Sequence, residues 1–540
     1  MTAASSPVSW KRSKAFAARF LAPLAILVFL AALVFGRVGE FGYAPLDDYG
    51  YVVLRGQVRN GLSLDGFRWA FTTFSMSNWH PLTWLSHMAD VSVFGLAPGP
   101  AHIVNVLIHL LNSALVLVLA RKVLVDRLAS VAVAGLFLVH PLHVESVVWI
   151  AERKDVLCAF FFLLACLAHL RYAAVGTRGW YAAIQCAGAA ALLSKPMAVT
   201  LPLVLLLLDV WPLARNREGA GCGRRLCLRL VIEKLPLMFL SAGVCALTIM
   251  AQRDALAPVD QLPVLQRAAN VPVALATYFR DLVLPTQLAV FYPVRIPDIV
   301  CEVLPASSLM IGVSLVCWRL RVTCPWAAFG WLWFLIMIAP VCGLVQAGSQ
   351  SHADRYMYLP SLGPLLALGV GLARTRRQQA CGVHVAVVAA GLLFYSVLAW
   401  IQVGYWRDAF MLYSRVLQVS GEHYTVRMGL SVWYLEHGLL KEARIQASRA
   451  VELAPDEAGV HANFGFLELQ ARNWAAAETS YRRAVELSPR DASLVNNLGL
   501  LLEQQGHMDE ARVAFSRAIK LDPAMIGFRR NLSRVGGMNP

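Results

Sequence analysis

The sequence predicts an all-α protein in which a bundle of membrane-spanning helices is followed by a water-soluble array of helical hairpins. Three observations lead to this fold class. Hydrophobic residues make up 58% of the 540-residue chain and charged residues only 15%, with a mean hydropathy of +0.56, whereas an ordinary soluble domain carries about 25% charged residues. Basic residues gather between apolar segments. The C-terminal part of the chain is periodic.

Apolar segments of near-membrane length recur through the first three quarters of the chain. The first follows Lys11, Arg12 and Lys14, and it is closer to the ~20 residues of a spanning helix than to the core of a cleaved signal. We therefore interpret it as an uncleaved first span. Together the segments predict eleven spans, near residues 17–36, 103–120, 128–147, 156–173, 180–193, 197–213, 235–251, 303–318, 326–345, 359–373 and 382–402.

Bursts of Lys and Arg predict the orientation, because short cytoplasmic loops are enriched in these residues. With eleven crossings the N-terminus is cytoplasmic and the C-terminal array lies outside. This means the inner membrane with a periplasmic array in a bacterium, which we favour, or the endoplasmic reticulum membrane with a luminal array in a eukaryote. The same placement explains the net charge of +15, so we expect no nucleic-acid partner. The bursts are Arg121, Lys122 and Arg127; Arg215, Arg217, Arg224, Arg225, Arg229 and Lys234; and Arg374, Arg376 and Arg377.

Residues 268–290 are apolar but do not fit the span pattern. The segment is interrupted by Pro272, Arg280, Asp281 and Pro285. Counting it as a span would also break the charge pattern. We predict an interfacial or re-entrant element on the outer side.

The C-terminal part repeats every 34 residues. Proline recurs at Pro455, Pro489 and Pro523, and small residues recur with the same step. This period, with small residues at the helix crossing and proline at the boundary, is typical of tetratricopeptide repeats (TPRs). We predict a membrane domain over residues 1–403 and a TPR domain over residues 404–540. The TPR domain would contain a partial repeat at 406–419, full repeats at 424–457, 458–491 and 492–525, and a capping helix at 526–536.

Asparagine recurs at one phase of the repeat, at Asn463, Asn497 and Asn531. Stacked TPRs form a concave groove that suits an extended peptide. An asparagine ladder there would hydrogen-bond a peptide backbone and so bind a protein acceptor. The alternative is that these residues are ordinary polar positions of the first helix of each repeat.

The predicted outer loops carry acidic, basic and histidine residues at or near membrane depth. Ionisable groups there are costly, and they persist where they line a cavity and act on a ligand. The cations lie on the side where the positive-inside rule would not place them, which suits an anion such as a lipid phosphate. The cations are Arg153, Lys154, Lys195 and Arg355, and the other residues are Asp47, Asp48, His80, His140, His143, Glu145, Asp354 and Tyr356.

Several of these residues also have a purely structural interpretation. Asp47 and Asp48 could be solvated or could cap a helix. His140 and His143 flank a proline and could simply end a helix. Lys195 could be a helix-end lysine whose ammonium reaches the interface. These alternatives stay open at this stage.

A zinc site is a further alternative for His140, His143 and Glu145. However, His-x-x-His-x-Glu is not a recognised metal spacing, and no cysteine accompanies it. We therefore expect no metal at these residues.

The order of motifs resembles one known family. The motifs are the Asp-Asp pair, His-Pro-Leu-Thr, His-Pro-Leu-His-Val-Glu-Ser, Glu-Arg-Lys-Asp, Leu-Ser-Lys-Pro and Ala-Asp-Arg-Tyr-Met-Tyr-Leu-Pro. With TPRs after the last span, the chain resembles the transmembrane-and-TPR protein O-mannosyltransferases and their bacterial relatives. The resemblance covers nearly the whole chain.

The resemblance implies a GT-C fold and a glycosyltransferase that uses a polyprenyl-phosphate sugar, mannose or another hexose, at the non-cytoplasmic face, while the TPRs offer protein acceptors. By this resemblance, the family's acidic motif corresponds to Asp47 and Asp48, and its basic loop corresponds to Arg153 and Lys154. Its Asp-Arg-Tyr element corresponds to Asp354, Arg355 and Tyr356.

The predicted reaction is a single displacement with inversion. One of Asp47 and Asp48 acts as general base, and the other orients the acceptor or binds a divalent ion such as Mg²⁺ or Mn²⁺. The four cations offset charge on the leaving phosphate. The sugar or acceptor pocket would be lined by His80, His140, His143, Glu145, Asp354 and Tyr356. The rival functions are a non-catalytic membrane-anchored TPR scaffold and a flippase of lipid-linked sugar.

Overall fold

The computed structural model of the protein describes residues 8–215, 223–253, 263–344, 348–376 and 381–536. Arg217 and Arg377 of the predicted basic loops lie outside these ranges. The chain divides into two units, Met1–Asp408 and Ala409–Pro540, and this boundary lies a few residues after the predicted one. The prediction of an all-α protein is confirmed, because both units are built from helices.

Over the ranges that the structure describes, all eleven predicted apolar segments are helical. Three of them are bent or extended by short 3-10 turns, at residues 141–143, 196–200 and 339–341. The helices of the first unit are α1 (Val8–Phe35), α2 (Gly56–Arg59), α3 (Leu64–Thr72), α4 (Pro81–Phe94), α5 (Pro98–Leu124), α6 (Arg127–Val139), α7 (Val144–Val148), α8 (Arg153–Val175), α9 (Arg178–Ser194), α10 (Leu201–Val210), α11 (Gly223–Ile232), α12 (Leu235–Ala251), α13 (Val264–Val283), α14 (Leu304–Leu320), α15 (Pro325–Ile338), α16 (Leu362–Arg376) and α17 (Cys381–Gly404).

Within the described residues, five helices are long and apolar enough to cross a membrane. A sixth crossing would be the pair Arg127–Val139 and Pro141–Val148, which is bent by 50°. Other apolar helices are shorter, including Leu235–Ala251. The number of crossings and the orientation therefore stay predictions. The five helices lie at Leu21–Glu40, Pro98–Leu124, Ile150–Val175, Ile299–Leu320 and Gly382–Gly404.

The segment predicted to be interfacial or re-entrant forms the amphipathic helix α13, which contains Pro272. Its buried residues include Arg267, Tyr278 and Asp281, so its polar groups are turned partly into the protein. A short antiparallel pair of strands lies on the C-terminal side of this helix. β1 (Tyr292–Pro293) pairs with β2 (Gln350–His352), with Tyr292 opposite His352.

The second unit is a stack of helical hairpins that begin where the period predicts. The three hairpins are α19 (Tyr424–Glu436) with α20 (Leu440–Leu453), α21 (Ala458–Gln470) with α22 (Trp474–Leu487), and α23 (Ala492–Gln504) with α24 (Met508–Leu521). They are flanked by α18 (Ala409–Ser420), at the predicted partial repeat, and by α25 (Ile526–Arg534), at the predicted cap.

Small residues recur in the repeat because the two helices of a hairpin cross closely. A Cβ atom added at Gly499 would lie 2.8 Å from the ring of Phe515, which is closer than packed carbon atoms tolerate. Ala477, Ala484 and Ala511 are likewise completely buried in the core of the array. The TPR prediction is confirmed.

Candidate active site

A cavity of about 420 Å³ lies in the first unit, where segments from distant parts of the chain meet. Part of its lining is ionisable or polar and part is apolar, so it suits an amphiphilic ligand. The ionisable and polar residues include Asp47, Asn78, Glu152, Lys154, Lys195, Gln350, Arg355 and Tyr356. The apolar residues include Met197, Val199, Ile249, Pro340 and Val341.

Three of the four predicted cations meet at one carboxylate, that of Glu152. Its Oε1 lies 3.1 Å from Nζ of Lys154 and 3.4 Å from Nε of Arg355, and its Oε2 lies 3.3 Å from Nζ of Lys195. All four side chains line the cavity. Glu152 is therefore the centre of an ion-pair network at the cavity wall.

Two further carboxylates, which do not line the cavity, complete this network. Asp155 lies 2.5 Å from Nζ of Lys195, and its other oxygen accepts a hydrogen bond from Ser146. Glu145 accepts hydrogen bonds from the guanidinium and, at 2.9 Å, from the backbone N–H of Arg355. The three cations are thus balanced by three carboxylates. The carboxylate of Asp47, which also lines the cavity, adds one negative charge.

Lys195 lies at the C-terminal end of α9, in the turn before α10 and outside the long apolar helices. Burial disfavours its ammonium form and lowers its pKa. However, the charges of Asp155 and Glu152 outweigh burial and raise the pKa above the usual lysine value. Lys195 therefore stays cationic throughout the physiological range.

The adjacent residues Asp47 and Asp48 lie in different surroundings. Asp47 lines the cavity. Asp48 is completely buried, and its two carboxylate oxygens accept hydrogen bonds from the backbone N–H groups of Ala44 and Ala151, each at 2.8 Å. Asp48 thus ties the segment after α1 to the segment that carries Glu152.

Burial raises the pKa of Asp48 to about 7, although the N–H groups of Ala44 and Ala151 favour its ionised form. Both oxygens of this carboxylate are occupied by backbone donors. Among the described residues, no three His, Cys, Asp or Glu side chains come together in a set that could hold a metal ion. The divalent ion considered for this pair stays a prediction.

Arg153 does not join the cavity cations. Successive residues of a helix point about 100° apart, and Arg153 at the start of α8 points away from Lys154. Its guanidinium is buried and donates to Ser86, Asp90 and the carbonyl of Ala101. Its place in the predicted phosphate-binding set is therefore corrected: in this structure it anchors α4 and α5 to α8.

The predicted histidines lie behind the cavity rather than in its wall. His140 hydrogen-bonds to the carbonyl of Leu282, and His143 hydrogen-bonds to the carbonyl of Phe137 and to Ser361. Their nitrogen atoms are occupied by these partners, so the zinc alternative is not supported. Both residues serve to pack the turn between α6 and α7.

His80 and Asp354 are also buried outside the cavity wall. His80 stacks on Tyr51, whose hydroxyl lies 3.3 Å from Nζ of Lys154. Burial and the charge of Lys154 lower the pKa of His80 well below its usual value, so this ring is neutral. Asp354 accepts a hydrogen bond from Tyr292 at 2.8 Å. Of the predicted pocket residues, only Tyr356 lies in the wall itself.

A stripe of polar residues on α5 positions the segments that carry the site. His102 hydrogen-bonds to the carbonyls of Val148 and Gly42. The other members are spaced so that they share one face of the helix. Asn105 donates to the carbonyl of Trp149, His109 bonds to the carbonyl of Leu138 and the hydroxyl of Tyr358, and Asn112 donates to the carbonyl of Val156.

The asparagines of the second unit contact neighbouring repeats. Oδ1 of Asn463 accepts from the hydroxyl of Ser431 at 2.8 Å, and Nδ2 of Asn531 donates to Oδ1 of Asn496 at 2.8 Å. Asn497 is half-buried. Two of the three predicted ladder residues thus also link successive hairpins, and each amide has further hydrogen-bonding capacity.

Comparison with known proteins gives a match to a repeat family and relatives among one group of transferases. The tetratricopeptide repeat family matches residues 465–526. Protein O-mannosyl-transferase Tmtc1 of Drosophila melanogaster is 34% identical over 151 residues, which are 27% of this chain and 17% of that protein. The chain is similar to the TMTC protein O-mannosyl-transferases. The resemblance expected from the motifs is therefore confirmed over part of the chain.

The match to human protein O-mannosyl-transferase TMTC1 is longer and weaker, with 29% identity over 229 residues, or 38% of this chain and 25% of that protein. The chain thus spans a quarter or less of the length of these O-mannosyl-transferases. Among solved structures, the crystal structure of MamA is similar with a TM-score of 0.22 and 21% identity, covering 24% of this chain and 76% of that one.

Several residues of the site, among them Glu152, Asp155 and Asn78, were not predicted from the sequence. Glu152 and Asp155 flank the two basic residues at the start of α8, and Asn78 precedes the His-Pro-Leu-Thr motif. A signal for the carboxylates was available, because charges at membrane depth are normally paired with opposite charges. The sequence could not tell which of the neighbouring carboxylates and cations point into one cavity.

Proposed function

We propose that the protein is a membrane glycosyltransferase that moves a hexose from a polyprenyl-phosphate donor to an acceptor hydroxyl, on a protein, at the extracytoplasmic face. One observation carries this proposal. Asp47, Lys154, Lys195 and Arg355 line one cavity that also has an apolar lining. A carboxylate, a group of cations and an apolar surface are the three things that a lipid-linked sugar phosphate and a hydroxyl acceptor require.

The relatives support the chemistry named in this proposal. Proteins similar to this chain are named protein O-mannosyl-transferases. Mannose is therefore the first sugar to test.

In the proposed reaction, Asp47 is the general base. Its carboxylate takes the proton of the acceptor hydroxyl as the hydroxyl oxygen bonds to the anomeric carbon. The bond between that carbon and the phosphate oxygen breaks, and its electron pair leaves on the lipid phosphate. One displacement of this kind inverts the configuration at the anomeric carbon.

The cations act on the leaving group. Lys154, Lys195 and Arg355 would offset the charge that develops on the phosphate oxygen as the bond breaks. Because a phosphate is already a stable anion, it leaves without a general acid. The adjacent apolar residues, which include Val199, Ile249 and Val341, would receive the start of the prenyl chain.

Asp48 has a positioning role in this proposal. It links the segment that carries Asp47 to Ala151, which adjoins Glu152. Its effect on transfer is therefore indirect. The TPR unit would bind the acceptor protein through the surface that carries Asn463, Asn497 and Asn531.

The decisive experiment compares transfer from a prenyl-phosphate mannose donor by the wild type and by Asp47→Asn. Loss of a general base lowers the rate by about 10²- to 10⁴-fold, and we expect Asp47→Asn to fall in this range with binding of the donor retained. Donor binding and transfer are both measured with the purified full chain.

Asp65→Asn is the matched control. Asp65 lies on α3 in the same segment as Asp47, and its side chain is 96% exposed, so this substitution makes the same change of charge away from the cavity. We expect it to transfer at the wild-type rate. Full activity of Asp47→Asn would remove the proposed base, and a wild type that binds the donor without transferring would favour the scaffold or flippase instead.

A further inference from the structure

Glu152 occupies the position at which an anionic ligand would meet all three cavity cations. Its two oxygens lie within 3.1–3.4 Å of Lys154, Lys195 and Arg355, and its side chain is almost completely buried. A phosphate oxygen that approaches these cations from the cavity must compete with this carboxylate. Glu145 and Asp155 do not line the cavity, so Glu152 is the network carboxylate that meets such a ligand directly.

The donor and the product of the proposed reaction differ in charge. The donor is a phosphodiester, which carries one negative charge. The lipid phosphate that remains after transfer is a monoester, which carries about −1.5 to −2 near neutral pH. Without Glu152, the three cations Lys154, Lys195 and Arg355 would keep only the carboxylates of Asp155 and Glu145 as ion-pair partners. The excess positive charge would then bind the product more tightly than the donor, and turnover would slow at product release.

We propose that Glu152 is a charge-exchange residue that prevents this product inhibition. It offsets the cations so that the site binds the monoanionic donor without strongly preferring the more highly charged product, and it re-forms its ion pairs as the lipid phosphate leaves. This inference rests on the proposed function, because it takes the lipid monophosphate as the product.

The test measures binding of two probes to the purified full chain. One is a prenyl monophosphate, and the other is the methyl phosphodiester of the same prenyl alcohol, which has the same tail but a single charge. In Glu152→Gln we expect the monophosphate to bind at least about tenfold tighter than in the wild type, because removing a unit charge a few ångströms from a dianion has at least this effect at protein-like dielectric constants. The diester should gain less.

Two variants control this result. Glu302→Gln removes a carboxylate that is paired with Arg295 and does not line the cavity, and its affinities for both probes should equal those of the wild type. Glu152→Asp keeps the charge, and it should restore the wild-type preference between the probes. In steady state, Glu152→Gln should lower kcat without raising the KM for the donor, a split that general damage to the site would not produce.

Each result of this test either supports or overturns the inference. Weaker binding of both probes by Glu152→Gln would overturn the inference and make Glu152 a scaffold for the cations, and an unchanged preference would overturn it as well. If Glu152→Gln does not fold, the wild type decides: affinities for the two probes within about tenfold support the inference, and a monophosphate preference above about a hundredfold contradicts it. A wild type that binds neither probe defeats the proposed function and this inference together, whereas normal transfer with an unchanged preference in Glu152→Gln defeats the inference alone.

Discussion

The two units of the molecule use charged residues in opposite ways. In the first unit, buried charges from distant parts of the chain meet, as Glu145 and Arg355 do across 210 positions. In the second unit, the pairs are more exposed and often local, such as Arg482 with Glu478 four residues earlier. Breaking a buried pair costs much stability because it leaves a buried charge without a partner, whereas an exposed pair contributes almost nothing to the free energy of unfolding. The comparison predicts that breaking a buried pair of the first unit costs much more stability than breaking an exposed pair of the second.

The largest expected effect comes from breaking a buried pair in the first unit. Glu145→Ala leaves the guanidinium of Arg355 buried without its closest carboxylate, and removing one partner of a buried pair costs about 3–5 kcal/mol. We expect the free energy of unfolding of the purified protein in detergent to fall by this amount. The double variant Glu145→Leu with Arg355→Leu should recover part of the loss, and a cost below about 1 kcal/mol for Glu145→Ala would place this pair with the surface pairs.

An effect of intermediate size is expected from the pH dependence of Asp48. Its pKa is about 7 in the folded protein and close to the ordinary value of about 3.9 in the unfolded chain. Between these values the folded state binds more protons than the unfolded state, so this residue makes the protein less stable as the pH rises from about 4 to 7. The loss is on the order of a few kcal/mol, since each pKa unit corresponds to about 1.4 kcal/mol.

This dependence is measured as the difference in the free energy of unfolding between the wild type and Asp48→Asn, whose side chain does not titrate. Relative to Asp48→Asn, the wild type should lose stability steadily between about pH 4 and pH 7 and no further above it. If the difference in free energy of unfolding between the two proteins is constant over this pH range, Asp48 keeps its ordinary pKa. Its burial would then have as little effect on stability as the exposed pairs of the second unit.

The smallest effect is expected in the TPR unit. Arg483 pairs with Asp456 at 3.5 Å and with Glu486 at 3.4 Å, and its side chain is 44% exposed. Exposed pairs contribute about 0–1 kcal/mol, so Arg483→Ala should lower the free energy of unfolding of the TPR unit by no more than this amount. The measurement is thermal unfolding followed by circular dichroism at low and high salt. A loss above about 2 kcal/mol would show that the contrast between the units is wrong.

The same contrast explains how much could be predicted from the sequence. The three hairpins begin at Tyr424, Ala458 and Ala492, where the period predicts, because each repeat packs on its neighbour in the chain. The apolar helices were predictable because their length and composition are local properties. The site was predictable only in part. Lys154, Lys195 and Arg355 meet as expected, but Arg153 turns away and Glu152 joins them, because the direction of each side chain is fixed by helix phase and tertiary contacts.

The neighbouring pair Asp47 and Asp48 illustrates this limit. Both belong to one motif, and the sequence alone treats them alike. The structure separates them because the N–H groups of Ala44 and Ala151 reach only Asp48. Ala151 lies more than a hundred positions after Asp48 in the chain, so the sequence around Asp48 cannot predict this contact.

The polar face of α5 has a consequence for how the protein assembles in a lipid bilayer. His102 has one partner that precedes it in the chain, the carbonyl of Gly42. The other partners of His102, Asn105, His109 and Asn112 lie in segments that follow, as far as Tyr358. Unsatisfied polar groups cost several kcal/mol in hydrocarbon. A nascent chain that ends before these partners would therefore hold α5 poorly in lipid. We expect assembly of the first unit to be cooperative, with α5 held firmly only after the segments that supply its partners have been made.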